Sequence, residues 1–418
     1  MLSEAKSTQA VESMKNVIFV APYFLDATER FISAAAECPD ARVGLVSCDP
    51  LQKLKPGLRN RLTAHFAVPS ISTNELRNGV QAVRAKLGGA DVLLGMLEQI
   101  QEPLGEIREQ LGIRGMDAAT ARNFRDKSQM KNVLRAAGLP CARHQLAGNV
   151  ETGMAFSRDV GFPLIVKPPD GAGAKGTFRC EDENGLRKCL ENYRPSSANL
   201  VLLEEFITGQ EHSYDSIFIG GKMVWSSISH YFPGPLTVVR EPWIQWCVII
   251  PRETDAPRYQ KIKQAAPASI RALGLQTGLS HLEWFRREDD SVAISEVGAR
   301  PPGAQFTSLL SYAHDMDFYK AWAELMIHER FAPPERKYSC GAAYLRGQGQ
   351  GKINHVRGLD VIAREFGSVI VEAKIPQHGQ SPSGSYEGEG YIIVRHPETS
   401  VVENALEKII STVRVEMA

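Results

Sequence analysis

Glu283 and Glu296 are the residues whose types and placement point first to chemistry. Each lies in an apolar run, Leu282–Phe285 and Val292–Val297, and the segment between them, Glu288-Asp289-Asp290-Ser291, has turn composition, so the stretch reads as an antiparallel hairpin. A turn centred between Asp289 and Asp290 sets Glu283 opposite Glu296, on a face shared with Phe285 and Ile294; a three- or five-residue turn would break that pairing. Directly opposed residues on one face have Cβ atoms about 4.5–5.5 Å apart, and like charges there repel. A cation between them removes the repulsion. Two carboxylates, completed by water and a substrate phosphate, suit Mg²⁺ rather than zinc, which prefers nitrogen and sulfur; Mn²⁺ is the alternative ion. On this reading Glu296→Gln relieves a repulsion and stabilises the apo protein. Extended chain keeps residues 296, 298 and 300 on one face before Pro301-Pro302-Gly303 turns away, which leaves the Arg300 guanidinium beside the ion. Its planar fork can grip a carboxylate or oxyanion, although it could also serve as a salt bridge neutralising the glutamates.

A second set of residues suits an anion. Lys127 falls in the first turn of a helix opened by Arg125-Asp126, where a lysine opposes the helix dipole unless it meets negative charge. Lys167 ends the buried run Leu164–Val166, and Gly171-Ala172-Gly173-Ala174-Lys175-Gly176 follows almost at once. Glycines let backbone N–H groups approach phosphate oxygens. The loop is not a Walker A motif, since GxxxxGK[ST] is missing and a strand rather than a helix follows. Further on, a strand reaches Glu204-Glu205-Phe206-Ile207 and turns through Thr208-Gly209-Gln210 to Glu211. That arrangement reads either as a plain β-turn or as a hinge whose backbone meets an adenine edge, with Glu211 on ribose hydroxyls.

The chain that must position these groups has 418 residues, 48 basic and 48 acidic, and seven cysteines without a CxxC pair. No global field favours nucleic acid or an anionic membrane, so an anionic ligand needs a local cluster. The cysteines read as reduced, buried thiols of a cytoplasmic protein. Residues 1–14 are polar and disordered in this reading, and no apolar run approaches the ~20 residues that span a bilayer. Residues 15–115 alternate strand and helix signals: strands at Val17–Ala21, Arg42–Ser47 and Asp91–Met96, and capping boxes at Asp26-x-x-Glu29 and Ser72-x-x-Glu75. This βαβ pattern predicts a parallel α/β sheet. The first strand runs into Pro22-Tyr23-Phe24 without GxGxxG, which argues against a dinucleotide site, and Glu98 stands just past a strand's carboxyl end, where open sheets bind ligands. Residues 336–418 read as a small α+β domain.

In their order, Lys127, Lys167, the loop 171–176, Glu204 to Glu211, Glu283 and Glu296-x-x-x-Arg300 resemble the ATP-grasp superfamily, in particular the carboxylate-amine ligases related to bacterial L-amino-acid ligases. The resemblance implies a pre-ATP-grasp domain (15–115), a two-lobed ATP-grasp core (116–335, lobes about 120–200 and 200–330) and the C-terminal domain. It further implies that Lys127 and Lys167 hold ATP phosphates, that the loop with Gly171, Gly173, Lys175 and Gly176 covers them, and that Glu204, Glu205 and the backbone of Phe206 and Ile207 meet adenine. Glu211 would hold ribose, Glu283 and Glu296 the Mg²⁺, and Arg300 the reacting carboxyl. Where the family often carries Asn as a further metal ligand, this chain has Gly298.

Enzymes of this kind phosphorylate a carboxylate with ATP and let an amine displace the phosphate, so no protein nucleophile is assigned. The implied partners are a small carboxylate and an amine, amino acids for preference, with no nucleic acid and no membrane, and the expected assembly is a homodimer. Candidate substrate residues are Glu98, His230, Arg240, His281 and Gly303, and the aromatic stretch Ser229–Trp246 is the candidate acceptor pocket. The alternatives are a purine-pathway or biotin-carboxylase-like enzyme, a silent ATP-binding module, which could lose a metal glutamate or Arg300 whereas all three remain here, and a dehydrogenase, opposed by the missing GxGxxG.

Overall fold

Apolar β-branched runs flanked by amphipathic helices account for the first unit, residues 1–118 with 319–330. In this computed structural model residues 13–170, 176–241, 245–383, 385 and 387–418 are described, the side chains of 235, 239 and 240 excepted. Lys15–Val20 (β1), Ala41–Ser47 (β2), Ala64–Ala67 (β3) and Val92–Gly95 (β4) form a sheet in the order β3-β2-β1-β4. Every pairing in it is parallel, as the alternation of strands and helices predicts. Its core packs Ile18, Val20, Val46 and Leu93 against Leu76, Val80 and Leu104. Ser72 caps the helix Thr73–Leu87 by accepting from the Glu75 N–H, as expected. The other capping box does not form, because Asp26 is already the first residue of its helix and Leu25 occupies the N-cap.

The second unit comprises residues 119–318 and 331–418. His144–Ala147 (β5), Leu164–Lys167 (β6), Phe178–Cys180 (β7) and Val201–Glu205 (β8) form an antiparallel sheet ordered β5-β8-β6-β7. One apolar cluster holds it to the helices Val150–Val160 and Glu183–Tyr193. Then come Gln210–Ile219 (β9), Lys222–Phe232 (β10), Trp246–Ile250 (β11), Gly278–Arg286 (β12), Val292–Gly298 (β13) and Ser339–Leu345 (β14). Gly347–Gln348 (β15), Ile353–Arg357 (β16), Ile370–Lys374 (β17), Gly390–His396 (β18) and Arg414–Met417 (β19) complete the chain. Eight of these strands make one sheet, β13-β12-β9-β10-β11-β14-β18-β17, and three make a smaller one, β15-β19-β16. The C-terminal segment therefore extends the sheet that carries the glutamates: Cys340 through Leu345 of β14 are buried between β11 and β18. Among the described residues no helix is long and apolar enough to cross a membrane.

Candidate active site

The hairpin β12–β13 pairs His281 with Gly298, Leu282 with Val297 and Glu283 with Glu296, the register read from the sequence. The turn is different. Arg286 pairs with Val292, which leaves the five-residue loop 287–291, closed by the Arg287 N–H donating to the Ser291 carbonyl at 2.9 Å. Such a loop alone would separate the glutamates, but the register shifts by one residue between Glu283 and Trp284, and Ser295 is the extra residue of a β-bulge. Two consequences follow. Ile294, expected beside the carboxylates, pairs with Trp284 in the core and is 1% exposed. The Ser295 carbonyl accepts a hydrogen bond from Lys131 Nζ at 2.7 Å.

Strand register gathers the rest of the site on one face. β12 sets Glu283 beside Ser213 and Phe285 beside Glu211 on β9, so Glu211, Glu283 and Glu296 share a face. Burial and the neighbouring Glu283 raise the Glu211 carboxyl well above its ordinary value, against the pull of Lys167. Glu283 is raised by burial and then by Glu296. Burial pushes Glu296 the same way, but Lys127 and Lys167 outweigh it and hold this carboxyl low. Lys127 Nζ lies 2.9 Å from Glu296 Oε1, with its side chain 4% exposed. The helix Lys127–Ala136 places it there: Asp126 caps the helix by accepting from the Ser128 and Gln129 N–H groups, and the Lys127 N–H donates to the Pro169 carbonyl.

The sequence reading missed Lys131, one helical turn on. Its Nζ lies 2.9 Å from Glu204 Oε1, and Lys167 Nζ lies 2.9 Å from Glu204 Oε2. Glu204 thus faces the lysines rather than an adenine edge. Burial alone would raise its carboxyl, yet Lys131 and Lys167 hold it at about 2. The i, i+4 spacing of Lys127 and Lys131 was a legible signal, but a lysine is so seldom buried that the spacing alone did not single the second one out. Lys131→Met should destabilise the protein by on the order of 3 kcal/mol, the scale for breaking a buried ion pair from one side. Because the Glu204 carboxyl is depressed on folding, its contribution is complete above the ordinary value of 4.5 and fades as pH falls from there towards 2. In the variant the Glu204 carboxyl lies nearer its ordinary value, so this acid loss should shrink and end at higher pH. Thermal melts between neutral pH and pH ~3 check this, and an unchanged acid profile would rule the clamp out.

His281 joins the glutamate face through Asp215, its partner on β9. Its Nδ1 lies 2.6 Å from Asp215 Oδ1, and its Nε2 lies 3.2 Å from the Tyr231 hydroxyl and 3.8 Å from Glu283 Oε1. Burial would lower the imidazole's pKa, but Asp215 and Glu283 raise it above the ordinary value. The sequence offered no route to Asp215 or Tyr231, since neither belongs to the hairpin.

A cavity of about 760 Å³ opens at the end of this face, lined by Arg179, Phe206, Ile207, Glu211, Phe285 and Arg286 among others. It follows the hinge expected for adenine. The Arg179 guanidinium stacks 4.2 Å from the Phe206 ring centroid. The Phe206 N–H already donates to the Pro163 carbonyl, and Glu205 is tied to Arg143 at 2.5 Å and Arg287 at 3.3 Å, so of the expected adenine contacts Phe206 and Ile207 line the cavity, the Phe206 N–H being engaged elsewhere.

Arg300 donates to the Pro301 carbonyl at 3.0 Å, and its charge is felt by His281. A Cβ added at Gly298 would stand 3.8 Å from Arg300 Cγ, an ordinary contact that places the two positions side by side. Gly303 is exposed, and Ala304 and Gln305 after it both take positive φ, 50° and 59°, a costly conformation for non-glycine residues that recurs at ligand-binding turns. His230 lines the cavity but does not join the carboxylate cluster. It pairs with His212 on the opposite sheet face, where its Nε2 lies 2.6 Å from the Tyr259 hydroxyl and burial lowers its pKa to about 4. Glu98 is buried in the first unit, in the turn after β4. Gly171, Gly173 and Lys175 lie outside the described residues, as does the Arg240 side chain, and Gly176 sits with positive φ beneath the Tyr193 hydroxyl.

Comparison with known proteins agrees with this geometry. Residues 132–310 match the ATP-grasp domain, so the chain carries an ATP-grasp domain. In sequence it is similar to the uncharacterized protein y4rH of Sinorhizobium fredii, 23% identical over 326 residues, 76% of this chain and 66% of the relative. It is similar too to an L-arginine-specific L-amino acid ligase of Bacillus subtilis, 24% identical over 249 residues, 58% of this chain and 59% of the relative. The chain thus spans less than two thirds of the length of these relatives. The fold is shared with an L-amino acid ligase from Bacillus licheniformis, at a TM-score of 0.77 and 17% identity, covering 97% of this chain and 100% of that one.

Proposed function

We propose that this protein is an ADP-forming carboxylate–amine ligase that joins amino acids through an acyl phosphate. The observation that carries this reading is the single sheet face bearing Glu211, Glu283 and Glu296, with Lys127 2.9 Å from Glu296 and Lys167 drawn to the same carboxylates. Crowding of three half-buried carboxylates on this face, with their partial desolvation, keeps the Glu283 and Glu211 carboxyls high, a charge surplus that suits a hard divalent cation, Mg²⁺ first. Such an ion, held by Glu283 and Glu296, supplies charge neutralisation at the transferring phosphoryl group.

The remaining steps belong to the chain's own groups. ATP sits with its adenine at the Phe206–Ile207 hinge and its phosphates towards Lys127 and Lys167, which exchange carboxylate partners for phosphate oxygens. A substrate carboxylate oxygen attacks the γ-phosphorus, the bond to ADP breaks, and an acyl phosphate forms. An amine then attacks the acyl carbon, phosphate leaves with the bonding pair, and the amine releases a proton to solvent. Arg300 holds the carboxyl and the oxyanion that develops from it, and His281, oriented by Asp215, borders the place where the amine arrives. Fixed charges aimed at developing charge supply most of the rate enhancement in phosphoryl transfer, so no protein nucleophile is needed.

The test is ADP release screened over amino-acid pairs and small carboxylates with Mg²⁺-ATP, with hydroxylamine added to trap the acyl phosphate as a hydroxamate. Amide product and hydroxamate are expected. ADP release that depends on bicarbonate and yields no amide would favour the carboxylase-like alternative. A complex with a nonhydrolysable ATP analogue should show the adenine at Ile207, and adenine bound at the parallel sheet of the first unit would overturn the placement.

A further inference from the structure

Cys38, Glu324 and His328 converge within the first unit, and the ligase reading uses none of them. Their ligand atoms, one sulfur, one carboxylate oxygen and one imidazole nitrogen, all lie within 4.8 Å of one another. Glu324 and His328 are four residues apart on the helix Phe318–His328 and so project from one side of it. Cys38 follows the helix Asp26–Ala36 and is 8% exposed. The two helices are locked by aromatic contacts: Phe31 packs edge-on against Tyr319 at 4.7 Å and Trp322 at 4.9 Å. The three donors are therefore held on rigid, packed elements, as a preorganised site requires.

The Cys38 thiol donates to Glu324 Oε1 at 3.2 Å, while the neighbouring Glu37 is held by Lys320 at 3.0 Å and by Arg61. A thiol and a carboxylate sharing one proton are the protonated form of two metal ligands. We propose that Cys38, Glu324 and His328 bind one transition-metal ion, zinc in preference to others, which clips the helix Phe318–His328 to the end of the helix Asp26–Ala36. Thiolate and imidazole select zinc over the hard ions that suit the paired glutamates. Around a tetrahedral zinc with bonds of about 2.0–2.3 Å, neighbouring ligand atoms stand roughly 3.3–3.6 Å apart, so the thiol–carboxylate distance is already close and side-chain rotation of Glu324 and His328 closes the rest. On binding, the thiol proton passes to solvent and water fills the fourth position.

The full-length protein, stripped with chelator, is titrated with Zn²⁺ in equilibrium dialysis and with Co²⁺ in an absorption spectrometer, alongside Cys38→Ser and His328→Gln, with circular dichroism to verify folding. One zinc per chain and a near-ultraviolet thiolate-to-cobalt band are expected in the unmodified protein. Both variants should lose zinc affinity by more than the roughly 10–100-fold that an outer partner costs. Cys38→Ser should lose the band and keep its Mg²⁺-ATP-dependent ADP release. The unmodified protein alone is decisive in one direction, since lack of stoichiometric zinc or of the cobalt band overturns the site whatever the variants do. A band that persists in Cys38→Ser, or zinc held as tightly by His328→Gln, overturns it as well.

Discussion

Glu296→Gln is expected to abolish turnover. The amide keeps the shape of the side chain but withdraws one of two anionic oxygens from the proposed cation site, and metal stabilisation of transferring phosphoryl charge is worth several kcal/mol, so ADP release should fall by about a thousandfold or more. Stability is expected to move against the simple register argument. Opposed carboxylates alone would make the change stabilising, but Glu296 is the 2.9 Å partner of Lys127, whose side chain is 4% exposed. Neutralising it takes an anion from that buried ammonium, a change that costs on the order of 3 kcal/mol, while relief of Glu283 returns only part of that. The apo protein should melt lower, and the stabilisation by Mg²⁺-ATP should shrink. Paired melts with and without Mg²⁺-ATP, together with ADP release, make the check; a wild-type nucleotide shift and a wild-type rate would mean that Glu283 and Glu296 are not the cation site.

Arg300→Lys separates a catalytic guanidinium from a structural charge. The 2.9 Å partner of Glu296 is Lys127, so that neutralising task is carried by a lysine already. Arg300 stands instead at the start of the Pro301-Pro302-Gly303 turn, donates to the Pro301 carbonyl, and lies beside Gly298. An ammonium cannot reproduce the two parallel donors of the guanidinium fork. ATP should still bind, with a near-normal melting shift, while amide formation drops by on the order of a hundredfold, the scale for losing one oxyanion-stabilising donor. Near-normal amide formation in Arg300→Lys would rule out the role.

Which parts of this site were legible without the structure follows from the range of the interactions involved. The opposition of Glu283 and Glu296 was read from a period of two and an even turn; the pairing holds, although a five-residue loop and a bulge that offsets it produce it. Lys127 was legible because a lysine in a helix's first turn conflicts with the local dipole, and Lys167 because it ends a buried strand. The parallel sheet of residues 15–95 followed from alternating apolar runs and helix signals in the same way.

Tertiary structure decided what depends on partners far along the chain. The loop 287–291 has the odd length that would separate the glutamates, and only the bulge at Ser295 restores their register; its carbonyl meets Lys131, 164 residues away in sequence, a contact no local pattern encodes. Asp215 orients His281 because β9 lies between β12 and β10, a choice of sheet order rather than of sequence period. The helix Phe318–His328 packs with the first unit although the chain on either side of it belongs to the second, since its apolar Trp322 and Tyr319 find Phe31 there. Residue types and spacing by themselves brought forward paired carboxylates, two lysines and a strand-end arginine as one set of candidates. Which carboxylate each lysine holds was settled by burial and strand order, because in a low-dielectric interior every charge must find a partner and the fold alone decides which one is near.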